Sequence, residues 1–167
     1  GKDSLNNVFS FTDEDGQHHE LSIPPTLLTT ALGQVDDIRS TMSPDLKTAG
    51  NRIAIIGMTR DELAGSQLEL LCGLTQGSSP QINVESCQAT WSAVAMAIRS
   101  HCIASCHDIS DGGIACALSE MTFENQIGAN INIDSELRED QALFSETGGF
   151  LLEIEKGSLI KIRSIYQ

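Results

Sequence analysis

Residues 84–100 carry the strongest folding constraint in the chain. Val84, Cys87, Trp91, Val94, Ala95 and Ile98 recur mostly at steps of three and four, which lines apolar side chains along one side of an α-helix. Asn83 precedes the run, where its side-chain oxygen can accept a first-turn N–H. Such a helix needs an apolar surface to cover. Short apolar runs supply one: Ile53 to Gly57, Ile103 to Cys106 and Phe150 to Ile154 read as strands. Gly128 to Ile133 alternates like a half-buried strand, and the Thr- and Leu-rich stretch Thr26 to Val35 reads as another. A second helix is expected from Ile114 to about Phe123, with Ile114, Leu118 and Met121 on one side. Asp61 to Leu71 and Gln141 to Phe144 suggest shorter helical pieces. Ser158 to Tyr166 begins an apolar-periodic helix that is open to truncation at the chain end. This order predicts a mixed α/β (α+β) fold, a mixed sheet packed with helices.

Turn chemistry separates these elements. Asp13-Glu14-Asp15-Gly16 reads as a loop or hairpin tip, Pro24-Pro25 breaks the chain, Ser43-Pro44-Asp45 reads as a turn or helix start, and 73–81 as a loop. At 167 residues the chain suits one domain with a sizeable core.

Charge narrows the partners. Ten Lys plus Arg face 23 Asp plus Glu, for a net charge of −13. That balance repels a nucleic-acid backbone and an anionic membrane surface. A small anion remains compatible if backbone N–H groups, a helix N-terminus or a bound cation help locally. No apolar run approaches the ~20 residues of a membrane span, and Gly1-Lys2-Asp3-Ser4 has no apolar signal core. Five cysteines, an odd number in a chain that needs no disulfide staples, imply reduced thiols and a cytoplasmic setting.

Three clusters are candidates for chemistry. The first is His107-Asp108-Ile109-Ser110-Asp111-Gly112-Gly113, between a strand and a helix. The glycines allow a ligand close to the backbone, the helix N-terminus favours phosphate, and Asp108 and Asp111 offer hard oxygens suited to Mg2+. Equally, Asp111 can simply cap the helix while the glycines permit the turn. The second is Thr59 to Ser66, a polar loop leaving a buried strand, which reads as a ligand loop or as an ordinary solvated connection. The third is Leu143 to Phe150, with Ser145, Glu146, Thr147, Gly148 and Gly149, a ligand loop or a Gly-rich turn.

Other chemistries find less support. His101, Cys102, Cys106 and His107 lie within seven residues, but the distant second ligand pair of a structural zinc site is missing. Cys87 and Cys116 read as small core residues. No Gly-x-Ser-x-Gly elbow, Walker A loop or Gly-x-Gly-x-x-Gly turn occurs.

Taken together, the motifs form a series. Gly1-Lys2-Asp3-Ser4-Leu5-Asn6-Asn7, Ile23-Pro24-Pro25-Thr26-Leu27-Leu28, Gly57 to Ser66, His107 to Gly113 and Leu143-Phe144-Ser145-Glu146 occur in this order. Order and spacing resemble the second half of the synthetase subunit of phosphoribosylformylglycinamidine synthase, within the aminoimidazole ribonucleotide synthetase-like superfamily. The resemblance covers nearly the whole chain.

It implies that residues 1–22 are the tail of a preceding N-terminal-type domain and 23–167 a C-terminal-type α/β domain. It implies a share in an ATP- and Mg2+-dependent reaction, in which an amide oxygen is phosphorylated and ammonia from glutamine displaces phosphate. The implied partners are the rest of the synthetase chain, a glutaminase and a small accessory subunit or domain. By motif match Gly1 and Lys2 fall at the nucleotide and Ser4 at the substrate, although Lys2 replaces a metal-binding Asn. Asp108 corresponds to a metal-binding Asp of the first half, and Glu146, Thr147 and Gly148 to a substrate-binding loop. Asp111, Gly112 and Gly113 complete the expected nucleotide contacts. Ala64 stands where relatives usually have Gly, and Gly149 where they often have Arg. No residue matches the family's catalytic His, so the chain alone is expected to make no product. The competing readings are another ATP-using enzyme of the superfamily, with selenophosphate or thiamine-phosphate chemistry, and a non-catalytic assembly domain.

Overall fold

A computed structural model describes residues 8–22, 29–73 and 77–165. The chain divides into two compact units, residues 1–36 and 37–167.

Asp13 makes the first unit turn back on itself. Its Oδ1 accepts the N–H groups of Asp15 (3.0 Å) and Gln17 (2.8 Å), and Gly16 supplies the positive φ of 80°. The result is an antiparallel hairpin of β1 (Val8–Thr12) and β2 (His18–Ser22), with Phe9 opposite Leu21 and Phe11 opposite His19. The Phe11 and His19 rings stack at 5.0 Å. The expected hairpin tip is where the sequence placed it.

The second unit is built around β5 (Phe150–Ile154), which lies between β3 (Arg52–Ile56) and β4 (Ile103–Asp108). Both pairings are antiparallel. Consecutive β5 side chains point to opposite faces, and the strand is buried on both. Leu151 joins Ile114, Leu118 and Met121 of α3 (Gly113–Met121) on one face. Leu152 and Ile154 join Val94 and Ala97 of α2 (Val84–Arg99) and Ile162 of α5 (Leu159–Ile165) on the other. Leu151 and Leu152 are almost wholly buried, each contributing about 2 kcal/mol of apolar transfer. Helices packed on a sheet is the architecture expected.

Between β5 and β4 runs one buried polar node. Glu153, 1% exposed, accepts four hydrogen bonds. Oε2 takes Lys47 N–H (2.7 Å) and Ser105 O–H (2.9 Å); Oε1 takes Thr48 N–H (2.9 Å) and Asn51 Nδ2 (2.8 Å). It ties the 43–51 loop to the sheet.

Helix α2 begins as expected, with Asn83 Oδ1 accepting Ser86 N–H at 2.8 Å. It ends where His101 adopts a left-handed φ of 53°, the backbone turn that stops a helix. Its stripe, however, is not buried throughout. Val94 and Ala97 are buried, whereas Val84 (63%) and Trp91 (60%) are exposed. Periodicity reports one face of a helix, and burial depends on how far the sheet reaches beneath it.

Other expectations shift. The 61–71 helix is only α1 (Gln67–Cys72), because Ser66 caps it by accepting Glu69 N–H (3.2 Å). Helix α4 (Glu139–Phe144) starts two residues early. Residues 29–35 form no strand, and 26–28 lie outside the described residues. The alternating 128–133 segment forms no strand either. It lines a cavity of about 460 Å³ with Ile53, Leu118 and Leu151, and its Gly, Ala and Asn residues are weak strand formers. Among the described residues no helix is long and apolar enough to cross a membrane.

Candidate functional site

Two glycines bring the strand ends together. Gly57, after β3, has φ 117°, and a Cβ there would lie 3.0 Å from the Gly149 Cα. Gly149, before β5, has φ 132°, and its Cβ would lie 2.6 Å from the Ile56 carbonyl oxygen. Only glycine fits such a backbone-to-backbone approach. The Gly149 carbonyl then accepts Ile109 N–H at 2.8 Å, drawing in the segment after β4.

From this junction the three sequence clusters meet. Arg60 N–H donates to Thr147 Oγ1 (3.2 Å) and Glu62 N–H to Ser145 Oγ (3.4 Å). Glu146 Oε1 accepts both Gln67 N–H (2.9 Å), at the start of α1, and Gly112 N–H (2.8 Å), at the start of α3. One carboxylate therefore serves the electropositive ends of two helices. The sequence marked Glu146 for a substrate; in the structure its side chain faces these amides, while Thr147 and Gly148 border an adjoining groove.

The start of α3 departs from simple capping. Gly112, not Asp111, is the N-cap, with φ 76° and no side-chain cap bond, and Asp111 is exposed. Gly113 (φ 65°) lets α3 approach α4, since a Cβ would sit 2.7 Å from the Leu143 carbonyl oxygen and 2.9 Å from Phe144. Gly113→Ala should therefore cost about 2–3 kcal/mol in urea denaturation, through strain and overpacking. An unchanged midpoint would show that the α3–α4 contact is loose.

Asp108 closes β4 with its side chain 65% exposed. Beside it, His107 is 13% exposed, its Nδ1 2.7 Å from the Asp108 carbonyl oxygen and its Nε2 2.9 Å from Glu120 Oε2. Both ring nitrogens face oxygen, which fixes the ring at the site's edge. Burial, aided by the Asp108 charge, pushes the Cys106 thiol up to about 11. It stays a thiol near neutrality. Among the described residues no three His, Cys, Asp or Glu side chains are grouped to hold a metal. Gly1, Lys2 and Ser4 lie outside the described residues.

Glu62 was legible only as part of a charged loop, yet it is 2% exposed. Its Oε1 accepts Gln81 N–H (3.0 Å) and faces Arg60 Nη1 at 3.9 Å. Its Oε2 has no partner among the described residues. Nothing in the sequence distinguishes it from exposed Asp61. Ala64, for its part, takes no left-handed φ, so the missing glycine causes no strain.

A helix-flanked antiparallel sheet with glycine-rich loops gathered at one end defines the class of α/β domain. The family model for the C-terminal domain of AIR synthase related proteins matches residues 46–158. The chain belongs to that family. It is 32% identical over 163 residues to phosphoribosylformylglycinamidine synthase subunit PurL of Thermococcus sibiricus, covering 94% of this chain and 22% of that protein. The protein of the same name from Thermoplasma acidophilum is 35% identical over 143 residues, covering 84% of this chain and 19% of that protein. The chain thus spans about a fifth of the length of the curated relatives it matches. Among solved structures, T. maritima PurL complexed with ATP shares the fold, with a TM-score of 0.54 and 14% identity over 77% of this chain and 21% of that one.

Proposed function

We propose that the chain is one domain of an ATP-dependent purine-biosynthesis enzyme that converts formylglycinamide ribonucleotide and glutamine to formylglycinamidine ribonucleotide, with ADP, phosphate and glutamate as co-products. Similarity to the PurL proteins over most of the chain supports the reading. The observation that carries it is the junction itself, where loops 57–66, 108–113 and 145–149 meet through the hydrogen bonds of Arg60, Glu62, Gln67 and Gly112.

In this reading Gly1, Lys2 and Asp111 contact the nucleotide, and Ser4, Thr147 and Gly148 the substrate; Gly112 and Gly113, expected at the nucleotide, are buried and instead shape the turn into α3. Glu146 holds the substrate loop against both helix starts. Asp108 would hold Mg2+, a hard cation that favours carboxylate oxygen. Its exposed carboxylate fits that role. When bound, Mg2+ neutralises charge on transferring phosphate. The domain works in the cytoplasm with the rest of its synthetase chain, a glutaminase and a small accessory subunit; alone it makes no product.

The test is nucleotide titration of the full-length enzyme in Mg2+. Asp108→Asn with Asp111→Asn should weaken ADP binding about tenfold, the equivalent of ~1.4 kcal/mol. Unchanged affinity and turnover would leave this domain a scaffold.

A further inference from the structure

We infer that Arg60 is the anion-binding residue of the groove beside Thr147 and Gly148, and that it takes the phosphate monoester of the ribonucleotide substrate. The inference rests on the reading of Thr147 and Gly148 as substrate contacts, and adds to it a residue that reading leaves out.

The groove measures about 240 Å³ and is lined by the start of α2 and the 57–60 and 147–149 loops. Among the described residues Arg60 is the one charged residue lining it, and no carboxylate does. The chain as a whole has 23 acidic residues against 10 basic ones, so a wall with a cation and no acid stands out from its surroundings. The Arg60 backbone is fixed on two sides. Its N–H donates to Thr147 Oγ1 (3.2 Å). The residues after it are tied to Ser78, whose Oγ donates to the Asp61 carbonyl oxygen (2.9 Å) and whose own carbonyl oxygen accepts Ala64 N–H (3.1 Å).

The guanidinium, by contrast, is uncommitted. Arg39 and Arg138 spend their forks on the neighbouring carboxylates of Asp37 and Asp140. The Arg60 side chain, 39% exposed, donates no hydrogen bond among the described residues. Its one ion-pair partner there is Glu62 Oε1, at a loose 3.9 Å. Glu62 is buried, accepts Gln81 N–H and does not line the groove. It steadies one side of the fork and leaves the other donors for a ligand. A planar fork meets two phosphate oxygens at once. Ser86, Thr90 and Thr147 add hydroxyls to the same groove. The volume lies below the ~300–1,000 Å³ of pockets that enclose a whole ligand, so it suits the phosphate-bearing end of the ribonucleotide.

Titration of the full-length enzyme with formylglycinamide ribonucleotide, its phosphate-free riboside and ADP tests this. Arg60→Gln should weaken ribonucleotide binding at least about tenfold, the scale of hydrogen bonding lost to a charged group. The riboside and ADP should bind as they do to the wild type. Arg60→Lys, which keeps the charge and loses the fork, should fall between. Unchanged ribonucleotide affinity in Arg60→Gln would overturn the inference. So would an equal loss for ribonucleotide and riboside, meaning a distorted groove, or a loss for ADP alone, meaning a nucleotide contact. A wild-type enzyme that binds no ribonucleotide would instead remove the substrate reading of the loop. Inorganic phosphate then decides Arg60: the anion site stands if the wild type binds phosphate and Arg60→Gln does not, and falls otherwise.

Discussion

Glu153→Gln is expected to destabilise the domain by about 2–4 kcal/mol, although it changes one oxygen to an NH2 group. Both carboxylate oxygens accept two hydrogen bonds, and each accepts one from a backbone N–H that cannot rotate away, Lys47 on Oε2 and Thr48 on Oε1. Either amide orientation places NH2 against one of these donors. Only Ser105, whose hydroxyl can turn, adapts. The same node sets a pH dependence. Burial pushes the Glu153 carboxyl up, but the bonds from Lys47, Thr48, Asn51 and Ser105 outweigh it, and the net shift is below the ordinary 4.5. A carboxylate depressed in the folded state contributes stability above its unfolded value, and loses it as pH falls through the folded one. Wild-type protein should therefore lose stability as pH falls below about 4.5, and Glu153→Gln should lessen that loss. Parallel acid limbs in urea titrations would show that Glu153 is not the group responsible.

Gly149→Arg should be equally damaging, by about 3 kcal/mol or more. The family resemblance places Arg here, and a simple reading would have the substitution restore a phosphate contact. The backbone says otherwise: φ is 132°, and the first side-chain atom would meet the Ile56 carbonyl oxygen at 2.6 Å. Gly149→Ala, which adds that atom alone, should show most of the loss. A Gly149→Arg protein with an unchanged denaturation midpoint and tighter nucleotide binding would mean that this loop rearranges at little cost.

Much of the local architecture was legible. Residues 150–154 read as a strand from their apolar run, and the observed strand has those bounds. Asn83 marked the start of α2 because capping is a local rule. What escaped was whatever depends on distant chain. The 128–133 alternation has the period of a strand but no ladder partner among the described residues. Trp91 shares a stripe with Val94, and the sequence does not say where the sheet beneath that stripe stops.

The site divides in the same way. Glycines 112 and 113 read as room for a ligand beside the backbone; in the structure Gly113 and Gly149 admit neighbouring protein backbone, and Gly112 takes a left-handed turn. Neither the amides that Glu146 would meet nor the burial of Glu62 could be read, because Glu146 is 79 residues from Gln67 and Glu62 is 83 residues from Ser145.

The central place of β5 bears on how a nascent chain must assemble. Its two neighbours, β3 and β4, come earlier in the sequence and pair only through it. During synthesis both therefore leave the ribosome with open edges and wait for residues 150–154. Long-range pairing of this kind folds slowly, and unpaired edges are where chains aggregate. Stalled translation just before Phe150 is thus the most hazardous point in the making of this domain.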